Sequence, residues 1–243
     1  MSVCPTGTFM YAVDINDTLG LIADKFGTTV EAILMVNSGI NPDNLQIGQS
    51  ISIPLAIEMP LPEPLYSELE LNNRLRLLWG QYAGWLRLVT IFFIYDLPGF
   101  EDAYHRLLRV PNDVQNVFFE LYGETVAEQS MNLFEENIII AVRYLKAVKS
   151  SNKSVINSLT ERWHLNTDEI GAHLVSINQY WTREEWVRLF SVLFDLIKAE
   201  ILYLLSSDFE QSTLIYDEME NHVLEIAGVM FDGIVSQFPD CFS

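Results

Sequence analysis

Basic side chains are scarce in this chain: 14 Lys and Arg stand against 33 Asp and Glu in 243 residues, a formal net charge of -19. The imbalance is not confined to a tail, because residues 1–54 hold five acids and one Lys and the remainder 28 acids against 13 bases. Such a field repels phosphate backbones and anionic lipid, so nucleic acid and membrane surfaces are excluded as natural partners. Long hydrophobic runs are also missing. The longest, Leu88 to Tyr95, spans eight residues between Arg87 and Asp96, against roughly 20 for a bilayer crossing, so no membrane span is expected. The opening MSVCPTGTF has neither a basic n-region nor an apolar h-region; the expectation is a chain made in the cytoplasm without a signal peptide. There are two cysteines, Cys4 and Cys241, each close to one end. In a chain without a signal they read first as exposed, reduced thiols. Cross-linking between subunits and a single intramolecular bridge are the alternatives.

Familiar catalytic signatures are missing too. No His-Glu-x-x-His occurs, neither cysteine has the flanking pattern of a Cys-His peptidase, and no Glu-Ser signature of helical lytic transglycosylases is present. Three carboxylates precede a histidine by four residues, Glu101 with His105, Glu169 with His173 and Glu218 with His222, and Glu161 precedes His164 by three. On a helix each pair shares a face, but a di-iron carboxylate bundle needs two Glu-x-x-His segments, and one is present. The spacings read as surface ion pairs or hydrogen-bonded histidines, and no metal or cofactor is implied.

What is present begins at Phe9. From there to Pro54 the chain reads as strand, helix, helix, strand, with Gly27 and Thr28 between the helices and an alternating Ile51-Ser52-Ile53 at the end. Asp17 or Thr18 caps the first helix, which runs to about Phe26. Thr28 or Thr29 starts the second, which ends near Asn37. Ile22, Phe26, Ile33 and Val36 are the expected small core. At Tyr11, Val13, Asp17-Thr18-Leu19, Ile22-Ala23, Phe26-Gly27, Asn37, Asn41-Pro42, Leu45, Gly48-Gln49 and Ile51 to Pro54, this stretch resembles the LysM (lysin motif) module. It departs where Asn16 stands in place of the usual Gly and where Gly20 stands in place of a bulky residue. The resemblance implies binding of N-acetylglucosamine polymers such as peptidoglycan in a shallow groove between two loops. Mapped onto this chain, those loops are Asn16, Asp17, Thr18, Leu19 and Gly20 on one side and Ile40, Asn41, Pro42, Asp43, Asn44 and Leu45 on the other. Short polar side chains and exposed amides suit an acetamido group, and Leu19, Ile40 or Pro42 could floor the sugar face.

Residues 54 to 64, PLAIEMPLPEP, hold four of the nine prolines, which makes them a semi-rigid linker. The expected division is a glycan-binding module over 1–54, a linker over 55–64 and an all-α bundle over 65–243. The first long helix covers about Tyr66 to Asp96, with Leu71, Leu75, Leu78, Tyr82, Trp85 and Val89 at helical spacing before Pro98-Gly99. Shorter helices follow from Phe100 to Arg109 and from Pro111 to Gly123. Thr125 with Glu128 reads as a capping box for a helix to Lys149. Ser154 to Trp163, a segment capped by Asn166 and Glu169 ending near Asn178, Thr182 to Leu205, and Asp208 to Phe238 complete the set. The five tryptophans, beside Leu and Phe at helical spacing, read as core rather than as a sugar platform.

At Trp79, Asp96-Leu97-Pro98, Leu107-Leu108-Arg109, Asn166 to Ile170, Ser176 to Trp181 and Tyr216-Asp217-Glu218, this second region resembles a helical domain of small LysM proteins in spore-forming Firmicutes. Members sometimes carry an acetylglutamate kinase label, which finds no support here: that fold needs parallel strands and Gly-rich phosphate loops. Polar residues in apolar runs, Gln81, Glu135, Glu136, Asn137, Asp195, Asp217 and Glu218, are the candidates for a carboxylate pair. Three functions stay open at this point. The first is a non-catalytic glycan binder whose helical domain serves assembly or docking with other subunits in a spore coat or cell envelope. The second is a cell-wall glycan hydrolase using bundle carboxylates. The third is a self-assembling unit whose module binds protein and not sugar.

Overall fold

The computed structural model describes residues 8–37, 39–42, 44–54 and 67–242. In the first part, β1 (Thr8–Ala12) and β2 (Ser50–Pro54) pair antiparallel, with Phe9 opposite Ile53 and Tyr11 opposite Ile51. Alternation turns Phe9, Tyr11, Ile51 and Ile53 to the buried face, where α1 (Leu19–Lys25) and α2 (Val30–Val36) add Leu19, Ile22 and Ile33. Thr18 and Thr29 cap the two helices by accepting from the backbone N–H of Leu21 and Ala32. Phe26 sits edge-on to both Phe9 and Tyr11, each at 5.0 Å. Val36 does not join this core. It is exposed because the helix ends one residue later, at Asn37, and the last turn faces outward.

After the linker, which lies outside the described residues, the chain is helical: α3 (Glu68–Ile94), α4 (Phe100–Leu107), α5 (Val110–Tyr122), α6 (Glu124–Lys149), α7 (Lys153–Ile177), α8 (Arg183–Leu205) and α9 (Phe209–Gln237), then a 3-10 turn at Pro239–Cys241. From α5 to α9 each helix packs against the next, α4 packs on α3, and α3 closes the bundle against α9. Ser67 and Glu70 form a reciprocal capping box at the start of α3. By length and composition α3 could cross a bilayer. Its apolar stripe, Leu71, Leu75, Leu78, Tyr82, Leu86 and Val89, is instead buried in the bundle. Trp79, Trp163, Trp181 and Trp186 are core residues, and Trp85 is half-buried.

Two local expectations fail for physical reasons. Thr125 and Glu128 form no capping box: α6 begins at Glu124, with Gly123 at its cap in a positive-φ conformation and no side-chain cap bond. The two short helices expected around Asn166 are one, α7, which runs through without a break. Asn166 is fully buried there; its amide donates to the Leu133 carbonyl at 3.1 Å and its oxygen accepts from Asn137 at 2.9 Å. A residue with capping chemistry has found partners on α6 instead of on its own helix end.

Candidate functional site

The antiparallel ribbon puts the loop after β1 and the loop before β2 at the same end of the first unit. Val13 joins them, donating to the Gln49 carbonyl at 2.9 Å and accepting from the Gly48 amide at 2.7 Å. In the first loop Asp17 is an organiser. One carboxylate oxygen accepts from the Tyr11 hydroxyl at 2.7 Å and from the Asp14 amide at 2.8 Å. Burial, reinforced by the Asp17 hydrogen bond, pushes the Tyr11 phenol above its ordinary range, so it stays a donor to Asp17. Lys25 Nζ reaches the Tyr11 oxygen at 3.1 Å and lies over its ring, 4.7 Å from the centroid.

Asn16 has φ 71, the left-handed region. This accounts for the departure from glycine at this position, since Asn is among the few side chains that accept that conformation. Gly20 is under no such demand. A Cβ there would meet Thr18 Oγ1 at 3.8 Å, so a larger residue would fit and the surface is simply barer.

In the second loop, Asn37 fastens α2 to β2. Its amide donates to the Ile33 carbonyl at 2.7 Å and the Ser52 carbonyl at 2.5 Å, and its oxygen accepts from the Ser52 amide at 2.7 Å. The outer edge of β2 therefore gains a side-chain partner in place of a third strand. Of the proposed sugar-facing residues, Asn16, Thr18, Gly20, Asn41, Pro42 and Asn44 are exposed, and Asp17, Ile40 and Leu45 are half-buried. Leu19 is 3% exposed and cannot floor a sugar with its side chain, because it packs inward as the first residue of α1. Asp43 lies outside the described residues.

The bundle's polar candidates are engaged with one another. Arg162 bridges Glu136 and Glu169, the latter at 2.9 Å, which removes Glu169 from His173. His173 Nε2 instead meets Ser130 Oγ at 2.7 Å, while that hydroxyl donates to the Val126 carbonyl at 2.8 Å. Burial lowers the His173 pKa to about 4, so the neutral ring donates through Nε2. With its proton given to a carbonyl, Ser130 is not poised as a nucleophile. His222 pairs with Glu225 at 3.1 Å and donates to the Leu189 carbonyl at 2.8 Å, not to Glu218. Asp195 is exposed beside Lys198, Asn137 accepts from Tyr82, and Gln81 accepts from Arg106. Among the described residues no group of three or more His, Cys, Asp and Glu could hold a metal.

One buried acid escaped the sequence reading. Glu200 is 2% exposed and is held by Arg87 at 2.6 Å and by the Ser212 hydroxyl at 3.2 Å. Burial raises its pKa and Arg87 opposes the rise. Its signal was a single acid within the otherwise uncharged Ala199 to Leu205 run. The cysteine expectation also changes. Cys241 is 2% exposed and disulfide-bonded, so it is not an exposed thiol and is no candidate nucleophile. The chain's other cysteine, Cys4, lies outside the described residues.

A two-stranded, two-helix unit with paired loops at one end, followed by a larger all-helical region, defines the class. Residues 11–54 match the LysM domain family, and LysM is a binding module for peptidoglycan and N-acetylglucosamine glycans. A curated protein of Bacillus licheniformis named "Putative L,D-transpeptidase YkuD" is 42% identical over 65 residues, 27% of this chain and 39% of that protein. The chain thus spans well under half the length of this relative. No solved structure matches.

Proposed function

We propose that this chain is a non-catalytic, glycan-directed envelope protein: the LysM unit binds N-acetylglucosamine polymer, and the helical bundle serves as an assembly or docking body. The observation that carries the reading is the LysM match over residues 11–54 together with two short, polar, exposed loops at one end of the ribbon. Exposed Asn41, Asn44 and Thr18 and the exposed ring of Pro42 supply polar contact and an apolar face for a sugar. Supporting a non-catalytic bundle, its buried Asn137, Asn166, Glu200 and Ser212 are engaged in structural hydrogen bonds and one ion pair. The resemblance of that bundle to a domain of spore-forming Firmicutes favours a spore layer or cell envelope as its place of work.

The test is retention of the purified full chain on insoluble peptidoglycan and on chitin. The folded chain binds, and Asn41→Ala with Asn44→Ala weakens retention roughly tenfold, as expected for about two lost hydrogen bonds, with circular dichroism unchanged. A folded chain that neither polymer retains would sink the glycan reading. Release of muropeptides during the incubation, followed by chromatography, would refute the non-catalytic part.

A further inference from the structure

The bundle carries a feature that the glycan reading does not use. Between the amino-terminal half of α3 and the α4–α5 corner lies a cavity of about 310 Å³ whose lining includes Arg74, Arg106 and Arg109. In a chain with 14 bases against 33 acids, three guanidinium groups around one cavity are not an average distribution. Arg74 is paired with Glu120 at 2.8 Å. Arg106 lies 5.3 Å over the Trp85 ring and donates one nitrogen to Gln81 Oε1 at 2.8 Å, but its other terminal nitrogen, Nη1, is buried without a hydrogen-bond partner. Arg109 is exposed and forms no ion pair among the described residues; it stands at the N-cap of α5.

A guanidinium remains charged at all working pH values, and a buried donor without a partner is costly. An oxyanion in this cavity would accept from exposed Arg109 and would draw on the Arg106 guanidinium, whose buried Nη1 has no partner. We infer that the cavity is a binding site for a small organic oxyanion, a carboxylate or phosphate, with Arg106 and Arg109 as its anchors and Asn116 and Asp113 facing any hydroxyl or amide the ligand carries. The volume is at the small end for a ligand site, which suits a metabolite-sized anion and not a polymer.

Isothermal titration of the full chain with citrate, inorganic phosphate and sodium chloride at matched ionic strength tests this. Citrate or phosphate binds where chloride does not, and the arm that binds identifies carboxylate or phosphate chemistry. Arg109→Ala, at an exposed position, weakens that binding roughly tenfold, the loss expected for one charge-assisted hydrogen bond. Arg188→Ala makes the same charge change at a surface pair with Glu225 and leaves binding within twofold. Arg106→Lys keeps the charge, loses the planar fork and weakens binding as Arg109→Ala does. Heats indistinguishable from chloride in both arms, or binding that Arg109→Ala leaves unchanged, would overturn the assignment.

Discussion

Asn37 is the residue through which the fold of the LysM unit is most directly testable. It makes three hydrogen bonds, to Ile33 and twice to Ser52, and so ties the end of α2 to the free edge of β2. At about 1 kcal/mol net for each bond, Asn37→Ala should cost about 2 to 4 kcal/mol, since two carbonyls and an amide lose their partner in a half-buried place. A unit of this size has only a few kcal/mol of stability in total, so the loss is a large fraction. Asn37→Asp keeps the acceptor for the Ser52 amide but sets a carboxylate oxygen against the Ile33 and Ser52 carbonyls, and it should cost at least as much as Ala. The assay is amide hydrogen exchange read at Ser52 and across β1, which reports local opening of this unit separately from the bundle. The expected result is exchange at Ser52 faster by a factor of about 30 or more in Asn37→Ala. Protection within threefold of wild type in both variants would refute the reasoning, because the side chain would then not be the partner that holds this edge.

The remaining predictions concern the bundle. The folded His173 pKa of about 4 lies below the ordinary imidazole value of 6.5 because burial disfavours the charged ring. Protonation therefore favours the unfolded chain: the contribution is complete above pH 6.5 and is lost as pH falls towards 4, with a size of about 2 to 3 kcal/mol. Urea midpoints of wild type and His173→Gln should run close at pH 7 and separate as pH falls towards 4, wild type becoming the less stable; parallel curves would refute the assignment. Gly233 sits where a Cβ would come within 1.8 Å of Trp181 Nε1, whereas a Cβ on Gly228, in the same helix, would meet nothing within 4 Å. Gly233→Ala should lower the thermal midpoint by roughly 3 to 9 °C through overpacking, and Gly228→Ala should be neutral or raise it, by calorimetry. A Gly233→Ala chain as stable as wild type would overturn this account.

The elements that were legible in the sequence are those whose causes are local. Thr18, Thr29, Thr182 and Asp208 cap their helices in the structure because a cap needs only its own side chain and an amide two or three residues on. The strand, helix, helix, strand order was carried by short-range alternation and by Gly27, whose φ of 60 permits the turn. The apolar stripe of α3 followed from helical spacing alone. The loop residues of the glycan unit could be named from the resemblance, but Leu19 could not be known to face inward until the pairing of β1 with β2 placed α1 over the sheet.

What only the tertiary structure decided depends on neighbours distant in sequence. Asn166 looks like a cap, and Thr125 with Glu128 looks like a capping box, when each is viewed within its own segment; packing of α6 against α7 made the first a buried cross-helix partner, and the positive-φ Gly123 started α6 already at Glu124 and left the second without a role. Glu169 and His173 share a helix face at ideal spacing, yet Arg162 took the acid and Ser130 took the ring. Arg106 and Arg109 stand three residues apart, but Arg74 lies more than thirty residues earlier on α3, so their meeting at one cavity was invisible before the bundle closed. The sequence by itself determined the local elements, the two-part organisation and the acidic field, because propensity, capping and composition are properties of short stretches. The fold decided which polar groups meet, because burial and pairing are properties of contacts between helices that are far apart along the chain.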